Sequence, residues 1–353
     1  MKKNGLLILA SLLAMLYYPI TATAQTAGKC DLTAAETAKA MGIGWNLGNT
    51  MEAGGGEKNN FTNNGGLNTE TAWQRTKTTQ AVIDFVHSQG FNSIRIPCAW
   101  VMGHISDAST YKIDKRWMAR VKQVVDYCIN DGMFVVLNDH WDGGWLESNE
   151  SMKATGEAKE KNKEVLKAIW TQIAEEVRDY DYHLLFAGLN EPDAKETSEI
   201  RNLKEYEQVF VDAVRATGGN NSDRVLVVQA PCTSIELACQ YFTRMPSDTA
   251  EDRLMIEVHY YNPWQFWGME KDEDWGNCFY YWGKDNHVDG SVHNPNWDCE
   301  EDNMQYWMKL MYNNFCKRGI PALIGELGAN WRNLTGLAGE SQEKHDASIH
   351  LYY

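Results

Sequence analysis

The chain has 353 residues, 43% of them hydrophobic and 23% charged, which excludes disorder, collagen and coiled coil and supplies a large buried core. Thirty-three Lys and Arg against 48 Asp and Glu leave a formal charge of −15. With no basic run, nucleic acid and anionic membrane are excluded as partners.

Lys2 and Lys3 precede an apolar run from Leu6 to Leu16, and Ala22-Thr23-Ala24 supplies small residues for cleavage. This predicts a signal peptide over 1–24, cut after Ala24, and an exported protein, extracellular or periplasmic. The run is too short to span a membrane, and none of membrane length follows. Thr33 with Glu36 reads as a helix capping box, and Gly90 and Gly132 as helix ends just before strands. Seven strand-like runs follow one another: Ile43 to Leu47, Phe91 to Ile96, Met133 to Leu137, Leu184 to Leu189, Val225 to Val228, Leu254 to Val258 and Pro321 to Ile324. Between them, Trp117 to Ile129, Tyr206 to Val214 and Met304 to Phe315 keep apolar residues on one helical face. Strands apolar on both faces, alternating with helices, predict a parallel sheet covered by helices, either doubly wound or closed as a (β/α)8 barrel.

Polar residues at the strand ends favour the barrel, whose mouth gathers them: Asn49, Arg95, His140, Asn190, Glu191, His259, Tyr261 and Glu326. No Gly-x-Gly-x-x-Gly follows the first strand, so a dinucleotide fold lacks support. A lone Glu at a strand end is ordinarily a solvated loop residue. Glu191 and Glu326, each behind an apolar strand and each in a Gly- or Pro-bounded turn, form a pair suited to glycosidic bond cleavage. Arg95 is expected to hold one carboxylate ionised, while repulsion and aromatic surroundings keep the other protonated. Glu257 shares a strand face with His259 and Tyr261 and reads as a structural partner inside the barrel.

Eight Cys lie beyond the signal peptide. Cys98 and Cys128 read as buried thiols, and Cys278 and Cys299, bracketing a loop, as a bridge. Paired Cys-x-x-Cys and His-Glu-x-x-His are absent from the sequence, so no metal or other cofactor is expected. A metal-dependent hydrolase using His140, Asp142 and His259 is the outlying alternative.

Taken in order, Gly44-Trp45-Asn46-Leu47-Gly48-Asn49-Thr50-Met51, Arg95-Ile96-Pro97, Asn190-Glu191-Pro192, His259-Tyr260-Tyr261 and Ile324-Gly325-Glu326-Leu327-Gly328 resemble glycoside hydrolase family 5, the cellulase family. The first motif and Tyr261-Asn262-Pro263-Trp264 look most like its subfamily 4 endoglucanases. The resemblance implies a retaining (β/α)8 barrel cleaving β-1,4-glucans, a β-glucan partner, and a monomer when complete. It implies Glu191 as acid/base, Glu326 as nucleophile, Asn190 against the sugar 2-hydroxyl, and Arg95, His140, His259 and Tyr261 in support. Two departures stand out. Trp141 replaces the second of two adjacent His, and the chain stops at Tyr353, before the family's eighth strand, so the barrel is expected to be truncated there and the sequence to be a fragment.

Residues 262–301 form an unusually long connection, rich in aromatics. These rings either make a small core of their own or wall a glucan cleft. Trp264 is the leading cleft candidate, with Trp141, Trp145 and Trp331 also past strand ends; Trp45, inside the first strand, reads as core. Competing functions are the same barrel acting on xyloglucan, mixed-linkage glucan or mannan, and a non-catalytic glycan-binding protein, which has no need of the two carboxylates.

Overall fold

The computed structural model describes residues 28–54 and 65–353, so the signal peptide expected over 1–24 lies outside the described residues. The local signals act as their chemistry requires. Thr33 and Glu36 cap each other's backbone to start α1, Ala34–Met41. Gly90 and Gly132 close α2 (Gln80–Ser88) and α3 (Lys115–Asn130) with φ of +96° and +73°, a conformation that only glycine takes freely. Helix α3 buries Trp117, Val121, Val124, Val125, Cys128 and Ile129, the apolar face its spacing predicts.

Among the described residues the main sheet has seven strands: β1 Gly44–Asn46, β2 Ser93–Ile96, β3 Phe134–Asn138, β4 Leu184–Ala187, β5 Leu226–Gln229, β6 Leu254–Tyr260 and β7 Ala322–Leu327. Each pairs in parallel with its neighbour in chain order, from β1 to β7. The sheet curls into a nearly closed barrel, and the Asn46 side-chain amide of β1 reaches the Gly325 carbonyl of β7 at 2.9 Å. Helices α4 (Gly156–Glu176), α5 (Thr197–Ala216), α6 (Ile235–Tyr241), α7 (Glu301–Asn314) and α8 (Gln342–Tyr352) follow in sequence.

Strand alternation divides the core in two. Ile94, Val135, Leu137, Phe186, Val228, Ile256 and Val258 point outward into the helices. Phe134, Val136, Leu185, Val225, Val227 and Met255 fill the barrel bottom, which Ala34 and Met41 of α1 plug. Above that plug the inward positions turn polar, with Arg95, Gln229, Glu257 and His259 all buried.

Three expectations need correcting. Trp45 is 37% exposed rather than core, because β1 lies at the sheet's edge. Cys278 and Cys299 are not bridged: the Cys278 thiol faces the Met269 carbonyl at 3.5 Å, and both cysteines are free and buried, like Cys98 and Cys128. The long 262–301 connection is neither all core nor all cleft. Phe266, Phe279, Tyr281 and Trp282 are buried, whereas Trp264, Trp275 and Trp297 are exposed.

Candidate active site

The apolar strands deliver a ring of polar side chains to one end of the barrel. Glu326 reaches it by a local irregularity. The β6–β7 register runs Val258 to Ile324 and then His259 to Glu326, so Gly325 is an extra residue that turns Glu326 inward. Only glycine fits there, since a Cβ would sit 1.8 Å from the Glu257 carboxylate.

Arg95, almost wholly buried, holds the ring together. Its Nε lies 2.9 Å from Glu257 Oε1, its Nη1 donates to Glu326 Oε1 at 2.8 Å, and its Nη2 donates to Asn190 Oδ1 at 2.6 Å. Tyr261 donates its hydroxyl to the other Glu326 oxygen at 2.8 Å. Glu257 is confirmed as an interior partner, held by Arg95, His259 and the Gln229 amide.

His259 sits between three carboxylates. Its Nδ1 is 2.7 Å from Glu191 Oε1 and 3.7 Å from Glu326 Oε2, and its Nε2 is 3.2 Å from Glu257 Oε1. Both ring nitrogens therefore face carboxyl oxygens, an arrangement that favours the doubly protonated ring. These carboxylates push its pKa up to about 9, overcoming burial. Glu191 departs from expectation here. It is not held protonated by repulsion, because the His259 hydrogen bond pulls its carboxyl below the ordinary range. His140, by contrast, is held neutral by burial and by the charges of Arg95 and His259, and its Nδ1 meets the Asn138 amide at 3.3 Å.

Oxygen atoms of Glu191 and Glu326 lie within 4.8 Å of each other and of a His259 nitrogen. The two acids are placed differently: the Glu191 side chain is 47% exposed and Glu326 only 17%. Beside Glu191 opens a cavity of about 440 Å3 lined by Thr233, Ser234, His259, Trp297 and Trp307.

Of the rings expected at the cleft, Trp141, Trp264 and Trp331 are about half exposed. Trp264 packs edge-on against Trp267, which packs on Tyr261 with ring centres 4.1 Å apart. Trp331 donates its Nε1 to Asp346 at 2.9 Å. Trp145 is a correction: it is 3% exposed, with its Nε1 turned to buried Asp139, so it cannot stack on a sugar. Asn49 is exposed at φ +59° in the turn after β1. Asp142, considered as a metal ligand with His140 and His259, spends its carboxylate on the N–H groups of Trp100, Val101 and Met102.

Sequence reasoning missed Asn46, which accepts from Arg95 at 3.4 Å while bracing β7. Its place in the motif beside Asn49 was the available signal. It also missed Glu147, whose carboxylate lies beneath the Asn190–Glu191 turn and which no pattern around it announced.

A barrel with two facing carboxylates, an arginine clamp and an aromatic rim defines a glycoside hydrolase site. The family pattern described as cellulase (glycosyl hydrolase family 5) matches residues 55–349, and the chain belongs to that family. It is 36% identical over 337 residues to a xyloglucan-specific endo-β-1,4-glucanase of Bacteroides ovatus, covering 92% of this chain but only 62% of that protein. Endoglucanase A of Ruminococcus albus is 35% identical over 309 residues, 85% of this chain and 75% of that one. A solved xyloglucan-specific β-1,4-glucanase from a ruminal metagenomic library, complexed with XXLG, superposes with a TM-score of 0.78 at 46% identity. That match covers 90% of this chain and 81% of the other. Among the described residues, no helix is long and apolar enough to cross a membrane.

Proposed function

We propose that this chain is an exported, retaining endo-β-1,4-glucan hydrolase, with Glu326 as nucleophile and Glu191 as acid/base. The observation carrying this reading is that two carboxylates from the ends of different strands face each other across one cleft, one oxygen of Glu191 lying within 4.8 Å of one oxygen of Glu326. A double displacement works with carboxyl groups about 5–5.5 Å apart, whereas inversion needs about 6.5–9.5 Å to admit water. Export rests on Lys2, Lys3 and the apolar run behind them.

Glu326 attacks the anomeric carbon while Glu191 gives a proton to the departing glycosidic oxygen. Water, deprotonated by Glu191, then releases the sugar from Glu326 with its configuration retained. Arg95 and Tyr261 each hold one oxygen of Glu326 and keep it aimed. His259 supplies the local proton: in the free site it carries the one that its pair with Glu191 shares. No cofactor is required, since two carboxylates and water complete both steps. Asn49, Asn190, Trp141, Trp264 and Trp331 offer hydroxyl contacts and flat faces along the glucan.

In the full chain, Glu326→Gln should lower glucan turnover by about 10⁴-fold or more while calorimetry still detects oligosaccharide binding. Azide added to Glu326→Gly should restore cleavage and give the inverted glycosyl azide. Ordinary turnover by Glu326→Gln would end the assignment.

Xyloglucan is a second reading of the substrate, favoured by the 46% identity to a structure described as a xyloglucan-specific enzyme. Initial rates on carboxymethyl-cellulose, xyloglucan, mixed-linkage glucan and mannan separate the choices.

A further inference from the structure

Glu147 follows the buried Trp145 and Leu146 in the loop behind β3, and its side chain is enclosed. Its two carboxylate oxygens are divided between neighbouring peptides: Oε1 accepts the N–H of Asn190, and Oε2 accepts the N–H of Glu191 at 3.1 Å. Its own carbonyl accepts the Asp193 N–H at 2.8 Å, and the Asn149 amide donates to the Asp193 carbonyl at 3.0 Å. A single loop thus ties residues 190–193 from below. The sheet does not do this. The last β4–β5 ladder bond near this turn runs from Gly188 N–H to the Val227 carbonyl, two residues short of Asn190.

Satisfying two peptide N–H groups does not require a buried carboxyl group, because a carbonyl or a water serves. Enclosure pushes the Glu147 carboxyl up to about 8, against the two N–H donors, and the charges around it are mostly negative. Glu191, Asp139 and Glu207 repel it, and Arg95 attracts it. A carboxyl group has a property those alternatives lack: two oxygens at fixed spacing, which here meet two successive peptide N–H groups and hold them in one orientation.

We propose that Glu147 is the positioning residue of the acid/base, fixing the Glu191 peptide so that the Glu191 carboxyl meets the glycosidic oxygen. The proposal rests on the assignment of Glu191 above. Small errors in such placement are costly, about 100-fold for roughly 1 Å. They matter only when the leaving group needs a proton. A residue that merely supports the fold slows good and poor leaving groups alike.

The test compares kcat/KM, which reports the first displacement, on cello-oligosaccharides and on dinitrophenyl β-cellobioside, whose phenolate departs without protonation. Burst titration with a fluorinated cellobioside normalises each rate to competent sites. Glu147→Gln keeps one acceptor and opposes a donor to the other N–H. It should lower kcat/KM on the oligosaccharide by about 100-fold and on the activated glycoside by less than about fivefold. Equal losses on both substrates, or no loss on either, overturn the proposal. If Glu147→Gln does not fold, Glu147→Asp, which keeps the carboxyl group one methylene short, should show the same split in smaller measure, and its absence overturns the proposal equally. Glu191→Gln is measured alongside. If it shows no split, the acid/base assignment fails; if it does and Glu147→Gln does not, only the positioning role fails.

Discussion

The two halves of the catalytic cleft are built on different principles. On the Glu326 side both hydrogen bonds come from a fixed charge or a hydroxyl: Arg95 on one oxygen, Tyr261 on the other, with a glycine bulge setting the direction. On the Glu191 side the carboxyl is half exposed, and its partner is a titratable histidine rather than an arginine. This contrast fits the proposed roles: a nucleophile has to be held still, and Glu326 is set against a group that never loses its charge. An acid/base must gain and lose a proton each cycle, so it stands in the open beside a group able to do the same. Rigidity enters the Glu191 side only through the backbone, from Glu147 below.

The sharpest break in this comparison comes from removing Arg95. Arg95→Met keeps the volume but removes one of the two cationic partners of buried Glu257 and frees Asn190 and Glu326 together. Breaking a buried pair this way costs about 3–5 kcal/mol, to be read from urea denaturation at neutral pH. The surviving folded enzyme should also lose about 100-fold in kcat, the scale of one misplaced electrostatic group. A variant with ordinary stability would show that Glu257 is not charged.

The histidine side should reveal itself through pH. His259 rises from near 6.5 to about 9 on folding, so the folded state binds its proton more tightly than the unfolded chain does. Its contribution is complete below about 6.5 and is lost as pH climbs through about 9. The loss amounts to roughly 3–4 kcal/mol. Glu147, raised by burial, adds a fall of the same sign at lower pH, so the measurement is a difference. Unfolding free energies from pH 6 to 10 should slope down less steeply in His259→Gln than in the parent. Parallel curves would show that His259 is neutral between its carboxylates.

What could be read in advance follows from the range of the forces involved. The strands, the capping box and the convergence of Glu191, Glu326, Arg95, His259 and Tyr261 were legible because apolar periodicity fixes which residues end at the barrel mouth. The bulge at Gly325 was not, since register shifts depend on how two distant strands meet. The ionisation of Glu191 was misjudged for the same reason: the His259 contact spans 68 residues. Glu147 lies 43 residues before the peptide it holds and looks in sequence like any loop acid. Cys278 and Cys299 gave a false signal, because bracketing a loop says nothing about which way two thiols point.

The smallest effect concerns the aromatic rim, where two tryptophans four residues apart are put to opposite uses. Trp141, Asp142, Gly143 and Gly144 all have positive φ, from 46° to 70°, a run that costs strain at the two non-glycine positions. Asp142 offsets it by binding three peptide N–H groups of residues 100–102. The turn throws Trp141 outward, its indole lying across Gly144, where a Cβ would come within 2.9 Å of the ring. Trp145 goes inward to Asp139. Trp141→Ala should therefore weaken glucan binding by roughly 0.5–1.5 kcal/mol, about a two- to twelvefold rise in KM, with kcat and melting unchanged. Trp145→Phe should do the reverse. Stability falls by about 1–3 kcal/mol as buried Asp139 loses its donor, and KM holds. A common effect of both substitutions on KM would mean that the loop moves as one body and that Trp141 is no independent sugar platform.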